Sequence, residues 1–148
     1  MMNWIAEAIR VFDVPRPEHF TDYNHCEECA EHDETLCNED YGTISLEELG
    51  NPGWDPLCFC HAEGLKYYMP GLIRLCIESL DDRFYFSQLL FHLEYKGENN
   101  RLFNSCSDEQ KRFVADFIHH MINDYAGKLE DHFAADDALR AYDLWHQE

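Results

Sequence analysis

The chain has little positive charge: 11 Lys and Arg stand against 30 Asp and Glu, for a formal charge of −19 over 148 residues and a pI near 4.6. A field of that sign repels phosphate backbones and anionic lipid surfaces, which excludes nucleic acid and membrane as ordinary partners. Long apolar runs are also missing. The longest candidate, 65–77, contains Lys66 and Arg74 and falls short of the roughly 18 to 20 residues a membrane-spanning helix needs. Met1 to Glu7 has no basic leader, and Glu7 and Arg10 interrupt its apolar residues, so no secretory signal is read there and a cytoplasmic protein is expected. The chain contains no Gly-Lys-Ser/Thr phosphate loop, no Gly-x-Gly-x-x-Gly, no Gly-x-Ser-x-Gly and no His-Glu-x-x-His. Carboxylates are so plentiful that any acid–base pair could be nominated, so none is informative and no catalytic residue is assigned.

What is present is enough apolar matter for a core. The hydrophobic share is 45% and the aromatic share 14%, far above that of a disordered acidic tail. Helical spacing dominates. Trp4, Ile5, Ala8, Ile9 and Phe12 repeat at helix spacing and stop before Pro15. An apolar stripe runs from Leu65 to Leu80 with Pro70 inside it, which predicts a kink or the true start of that helix. A shorter aromatic helix is expected over Phe84 to Tyr95, and one headed by a Ser107–Gln110 capping box over Ser107 to Tyr125. A last helix from about Asp136 to His146 is expected to bury Leu139, Tyr142 and Trp145. The fold expected is mainly α, a single domain over 1–148 with five to six helices and an irregular Gly/Pro region around 38–62. Within that region Ser45 and Glu48 suggest a short capped turn, 50–56 a loop, and Leu57 to Cys60 the one plausible strand.

The charge is unevenly spread. Residues 17–65 hold 13 acids and no Lys or Arg. A solvated face is the plain reading; a docking surface for a basic partner is the sharper one, because a concentrated negative face steers association with a positive one. The residues nominated for that face are Glu27, Glu28, Glu31 and Glu34, with Trp54 and Asp55 from the Gly/Pro loop. A buried Trp54 that anchors the loop is the simpler alternative.

The same stretch carries five of the seven cysteines: Cys26, Cys29, Cys37, Cys58 and Cys60. An odd count without a leader argues against a disulfide framework and leaves reduced thiols or metal ligands. Cys76, on an apolar helix face, reads as a small hydrophobe. If His25 to Cys37 is helical, His25, Cys29 and His32 share a face and Cys26 neighbours Cys29, a ligand set that Zn²⁺ accepts. Cys58-Phe59-Cys60-His61 could complete a tetrahedral set; idle thiols and surface histidines are the alternative. A thioredoxin-like role is disfavoured because Glu27, Glu28 and Glu31 should raise the thiol pKa and no strand precedes the motif, whereas the same carboxylates favour a divalent cation. His119 and His120 read as a helix-boundary pair.

Three stretches resemble a family of small, soluble bacterial proteins of unknown function. They are Pro17-Glu18-His19 leading into His25-Cys26-Glu27-Glu28-Cys29, Gly53-Trp54-Asp55-Pro56 followed by Tyr67-Tyr68-Met69-Pro70, and Ser107-Asp108-Glu109-Gln110. The resemblance spans roughly residues 15 to 122. It implies that Cys-x-Glu-Cys belongs to a shared pattern and that Met69-Pro70-Gly71 stands where a Leu-Pro-Ala-like run is usual. Cys58 and Cys60 fall outside that pattern, which weighs against a four-cysteine zinc site, and the resemblance supplies no activity.

The leading expectation is an acidic binding or inhibitor protein, of the immunity-protein or antitoxin kind, that masks a basic protein surface. The alternatives are a small zinc module centred on Cys26 and Cys29, and an enzyme using the Trp54–Asp55 loop. On the leading reading, affinity for a basic partner should fall steeply as salt rises from about 50 to 500 mM, because exposed charges are screened over a Debye length. A titration by calorimetry checks this, and tight binding indifferent to salt and to charge reversal at Glu27, Glu28, Glu31 and Glu34 would sink it.

Overall fold

The structure, a computed structural model, describes residues 2–146, and helices account for most of them. In chain order they are α1 (Trp4–Val11), α2 (Glu27–Cys37), α3 (Leu46–Leu49), α4 (Ala62–Glu78), α5 (Phe86–Glu94), α6 (Arg101–Ser105), α7 (Asp108–Asp124), α8 (Ala126–Asp131) and α9 (Ala135–Trp145). Mainly α therefore holds. The nine helices among the described residues exceed the five or six expected because α3, α6 and α8 are too short to show a hydrophobic period. No helix among those residues is long and apolar enough to cross a membrane.

α4 is the axis of the core. Leu65, Tyr67, Tyr68, Met69, Leu72, Ile73, Leu75 and Cys76 are all buried, so the helix is covered on nearly every side rather than along one stripe. Pro70 neither starts nor ends it: the helix runs unbroken from Ala62 to Glu78 with the proline buried inside. α1 and α6 pack against α4, α7 packs on α1 and α9, and α9 closes over α5, where the buried Trp145 donates its indole N–H to the Leu93 carbonyl at 2.8 Å. Both capping boxes read from the sequence are formed, Ser45 with Glu48 heading α3 and Ser107 with Gln110 heading α7. Cys76 is fully buried, as a small hydrophobe should be.

Two local expectations fail. Leu57 to Cys60 is a 3₁₀ turn (Pro56–Phe59) and not a strand, and the 50–56 stretch contains another (Pro52–Trp54). Proline opens both turns, and Asn51 and Asp55 cap them by accepting N–H bonds two residues on, which a β ladder could not accommodate. In α9 the buried stripe is Ala138, Ala141, Leu144 and Trp145; Leu139 is 52% exposed and Tyr142 only half-buried, because the small alanines are what let the helix approach its neighbours.

The polar helix α2 is fastened to this core at its C-terminal end. The Tyr68 hydroxyl donates to the carbonyls of Leu36 and Glu39, and Arg16 donates to the carbonyl of Cys37 and to the Tyr67 hydroxyl. These donors serve the orphan carbonyls of the last turn, and the guanidinium sits at the negative end of the helix dipole. Farther along, Arg74 donates to the carbonyls of Tyr41 and Ile44 at 3.2 and 2.6 Å. These bonds draw the 41–44 backbone against α4 so closely that a Cβ at Gly71 would stand 2.6 Å from the Tyr41 carbonyl oxygen and 2.9 Å from Ile44 Cγ2.

Gly71→Ala should therefore destabilise the protein by about 1–3 kcal/mol, since backbone must shift to admit the methyl. Gly127→Ala, which meets nothing within 4 Å, should be neutral or stabilising by up to about 1 kcal/mol. Urea unfolding midpoints of the two variants check the contrast.

Candidate functional site

The segment ahead of α2 is organised by one buried acid. Asp33, 5% exposed, accepts N–H bonds from Phe20 at 2.6 Å and Thr21 at 3.2 Å on one oxygen, and its other oxygen lies 2.7 Å from His19 Nδ1. The Thr21 hydroxyl then donates to the Cys29 carbonyl at 2.7 Å, and the His25 N–H closes a turn onto the Asp22 carbonyl. The chain is thereby bent so that His25 and Cys26 arrive at the first turn of α2.

Cys26 is the N-cap of that helix. Its backbone is extended (φ −163°, ψ 172°) and its sulfur accepts the Cys29 N–H at 3.4 Å. Cys29 lies one turn in, 7% exposed, with its sulfur 3.4 Å from Cys26 Sγ and 3.7 Å from His25 Nδ1. The three donor atoms lie within 4.8 Å of one another. Tetrahedral zinc with ordinary Zn–S and Zn–N bonds has ligand–ligand edges of about 3.6–3.8 Å. Of the two separations, 3.7 Å lies within that range and 3.4 Å about 0.2 Å below it, so a small adjustment lets the three atoms hold a tetrahedral metal with one position open.

The electrostatics of the pair are asymmetric. The Cys29 N–H, then the bonds from His25 and from the Cys29 thiol, pull the Cys26 thiol below its ordinary pKa. The neighbouring Cys26, then burial and the charges of Asp22 and Glu28, push the Cys29 thiol up. The expected upward pressure from the carboxylates thus acts on Cys29 and fails at Cys26, because a helix N-terminus supplies N–H donors directly to that sulfur. His25 is raised by its bond to Cys26, then by the charges of Cys26 and Asp22.

His32 does not join the set. The shared face with His25 and Cys29 required a helix from residue 25, but α2 starts at Glu27, and His32 points inward at 0% exposure. Its ring is stacked 4.7 Å from Phe59 and lies 4.5 Å from Trp54, its nearest carboxylate oxygen is Glu28 Oε2 at 3.8 Å, and neither ring nitrogen has a hydrogen-bond partner among the described residues. Trp54 is accordingly not a buried anchor: it is 45% exposed and, with Phe59 at 38%, forms an aromatic surface over α2. Glu27, Glu31 and Glu34 are exposed at i, i+4 and i+7 on the same helix, with Glu28 half-buried between them and the aromatics.

Asp55, nominated for the binding face, is 3% exposed and spent internally. It accepts the Leu57 N–H at 2.9 Å and the Gln88 amide at 2.9 Å, and lies 2.7 Å from His92 Nε2. Cys58 and Cys60 do not complete the Cys26–Cys29 set. Cys58 groups with Asp55 and His92 at the edge of a cleft of about 450 Å³ that Ser87, Gln88 and Phe91 also line, while Cys60 is buried and its thiol pushed up by that burial. His119 is exposed and His120 half-buried on α7, the boundary positions expected of them. Sequence reasoning missed His19, Asp33 and His92, whose partners lie 14 or 37 residues away and leave no local pattern.

Comparison of the chain with family models, curated proteins and solved structures returned no match.

Burial opposes ionisation of Asp33, yet the bonds from His19, Phe20 and Thr21 together outweigh it and hold the carboxyl below its usual range. A depressed carboxylate stabilises the fold above its unfolded pKa of about 4, and that contribution is lost as pH falls through the lower folded value. Asp33→Asn should cost about 1–3 kcal/mol at pH 7, and the deficit should shrink below pH of about 4. Urea unfolding at both pH values checks it.

Proposed function

We propose that the protein is a small metal-binding protein whose centre is His25 Nδ1, Cys26 Sγ and Cys29 Sγ, with Zn²⁺ as the ion. The observation that carries this reading is the pair of donor separations, 3.4 and 3.7 Å, close to the edges of a zinc tetrahedron. Soft thiolates with one imidazole favour zinc over magnesium or calcium. Asp22 and Glu28, whose charges are felt at Cys29, add a negative field that a dication offsets. Three protein ligands leave a fourth position for water or a ligand from outside, the pattern of a reactive rather than a purely structural zinc.

The exposed row of Glu27, Glu31 and Glu34 favours a second reading, the acidic face for a basic protein partner. Trp54 and Phe59 beside that row support it, because an exposed tryptophan on a rigid base is the residue type that anchors interfaces. The salt titration described above tests this reading, with Trp54→Ala as its sharpest variant.

For the metal reading, protein purified without chelator should carry about one zinc per chain, and less than about 0.2 equivalents would end it. Cys26→Ser or Cys29→Ser should abolish binding, His25→Ala should weaken it about 10- to 100-fold, and Cys58→Ser should leave it unchanged. Competition with a chromogenic chelator at pH 7 measures all four.

A further inference from the structure

The two sulfurs of the proposed centre also form a dithiol, one member exposed and the other buried, 3.4 Å apart. We propose that Cys26 and Cys29 undergo thiol–disulfide exchange with small disulfides, neutral or cationic in preference to anionic, and close to an internal disulfide. The consequence for metal, its expulsion on closure, rests on the metal reading above; the exchange itself does not.

The geometry supports each role. Cys26 is exposed, lies outside the helical part of the backbone and is the sulfur an incoming disulfide can reach. Cys29 is buried one turn in, with its carbonyl tied by Thr21, so it is sheltered from solvent disulfides and held facing Cys26. Their sulfurs stand 3.4 Å apart, and about 1.4 Å of approach makes the bond. Theirs is the one thiol–thiol hydrogen bond among the described residues. Cys58 is exposed but lies with Asp55 and His92, without a second thiol in its group; Cys60, Cys76 and Cys106 are buried. The exposed Asp22 and Glu27 and the half-buried Glu28 flank the entry and disfavour an anionic reagent.

The exchange balances as follows. The Cys26 thiolate attacks one sulfur of the external disulfide; that S–S bond breaks, a mixed disulfide forms, and the departing thiolate takes up a proton. Cys29 loses its proton, and its sulfur attacks Cys26 Sγ and displaces the second external thiolate, which is protonated in turn. The dithiol is oxidised by two electrons and one external disulfide is reduced to two thiols. With both sulfurs engaged in their own bond, a metal held by them loses two of its three ligands.

The test exposes reduced, metal-free full-length protein in the Cys58→Ser background to hydroxyethyl disulfide, cystamine or glutathione disulfide. Intact mass and peptide mapping should show a Cys26–Cys29 link without a lasting adduct, formed fastest with cystamine and slowest with glutathione disulfide, the difference narrowing in high salt. Cys29→Ser should trap the mixed disulfide on Cys26, and Cys26→Ser should slow reaction at Cys29 at least about tenfold. Retention of both thiols, or a persistent adduct on Cys26 with Cys29 intact, overturns the proposal. Zinc-loaded protein run in parallel separates the two readings. Disulfide closure in a protein that binds no zinc leaves the exchange standing and removes the metal centre; zinc binding without closure does the reverse.

Discussion

The irregular third of the molecule is held by two buried carboxylates, and the absence of cations is what makes them necessary. Between residues 17 and 65 no Lys or Arg is available to tie loops down. Asp33 and Asp55 act instead as acceptors, gathering backbone N–H groups from Phe20, Thr21 and Leu57 and side-chain partners from His19, Gln88 and His92. A buried carboxylate is costly unless its lone pairs are filled, and Asp55 has three partners while Asp33 has four, the Cys37 thiol being the fourth. Release of either would free a loop, because Asp33 holds the backbone of Phe20 and Thr21 ahead of α2 and Asp55 holds that of Leu57 after α3.

The positive charges that serve the segment are borrowed from its borders. Arg16 reaches the end of α2, Arg74 the 41–44 turn, and Arg101 the carbonyls of Leu57 and Cys60 at 2.9 and 2.8 Å. Each donates to backbone carbonyls of the segment and not to its exposed glutamates; the one carboxylate that Arg74 pairs with, Glu78, lies outside it. The cations therefore fix the shape of the segment and leave its acidic face unneutralised, so geometry and charge are separated onto different groups.

What could be read in advance follows from how local its cause was. The helices carrying 3.6-residue apolar stripes, and the two capping boxes, depend on residues three or four apart, and they stand where the sequence places them. The Cys26–Cys29 pair was legible for the same reason. The part of the site involving His32 was not, because it hinged on whether α2 begins at residue 25 or 27. Cysteine is not among the residues preferred as an N-cap, so nothing in the string marked Cys26 as the boundary. Asp55 and Trp54 were adjacent letters with opposite fates, one buried and one exposed, decided by Gln88 and His92 on α5. A segment without its own core takes its shape from residues far along the chain.

That dependence orders assembly in time. The hydroxyl that grips the end of α2 belongs to Tyr68, the arginine bridge closes through Tyr67, and Asp55 waits for Gln88 and His92. Synthesis proceeds from the N-terminus, so the acidic segment emerges before any of these partners has left the ribosome. α2, polar and short, has little reason to be helical alone. The nascent chain consequently presents Cys26 and Cys29 in an acid-rich stretch first, and α2 gains the tyrosine contacts that fasten its far end only after α4 has been made.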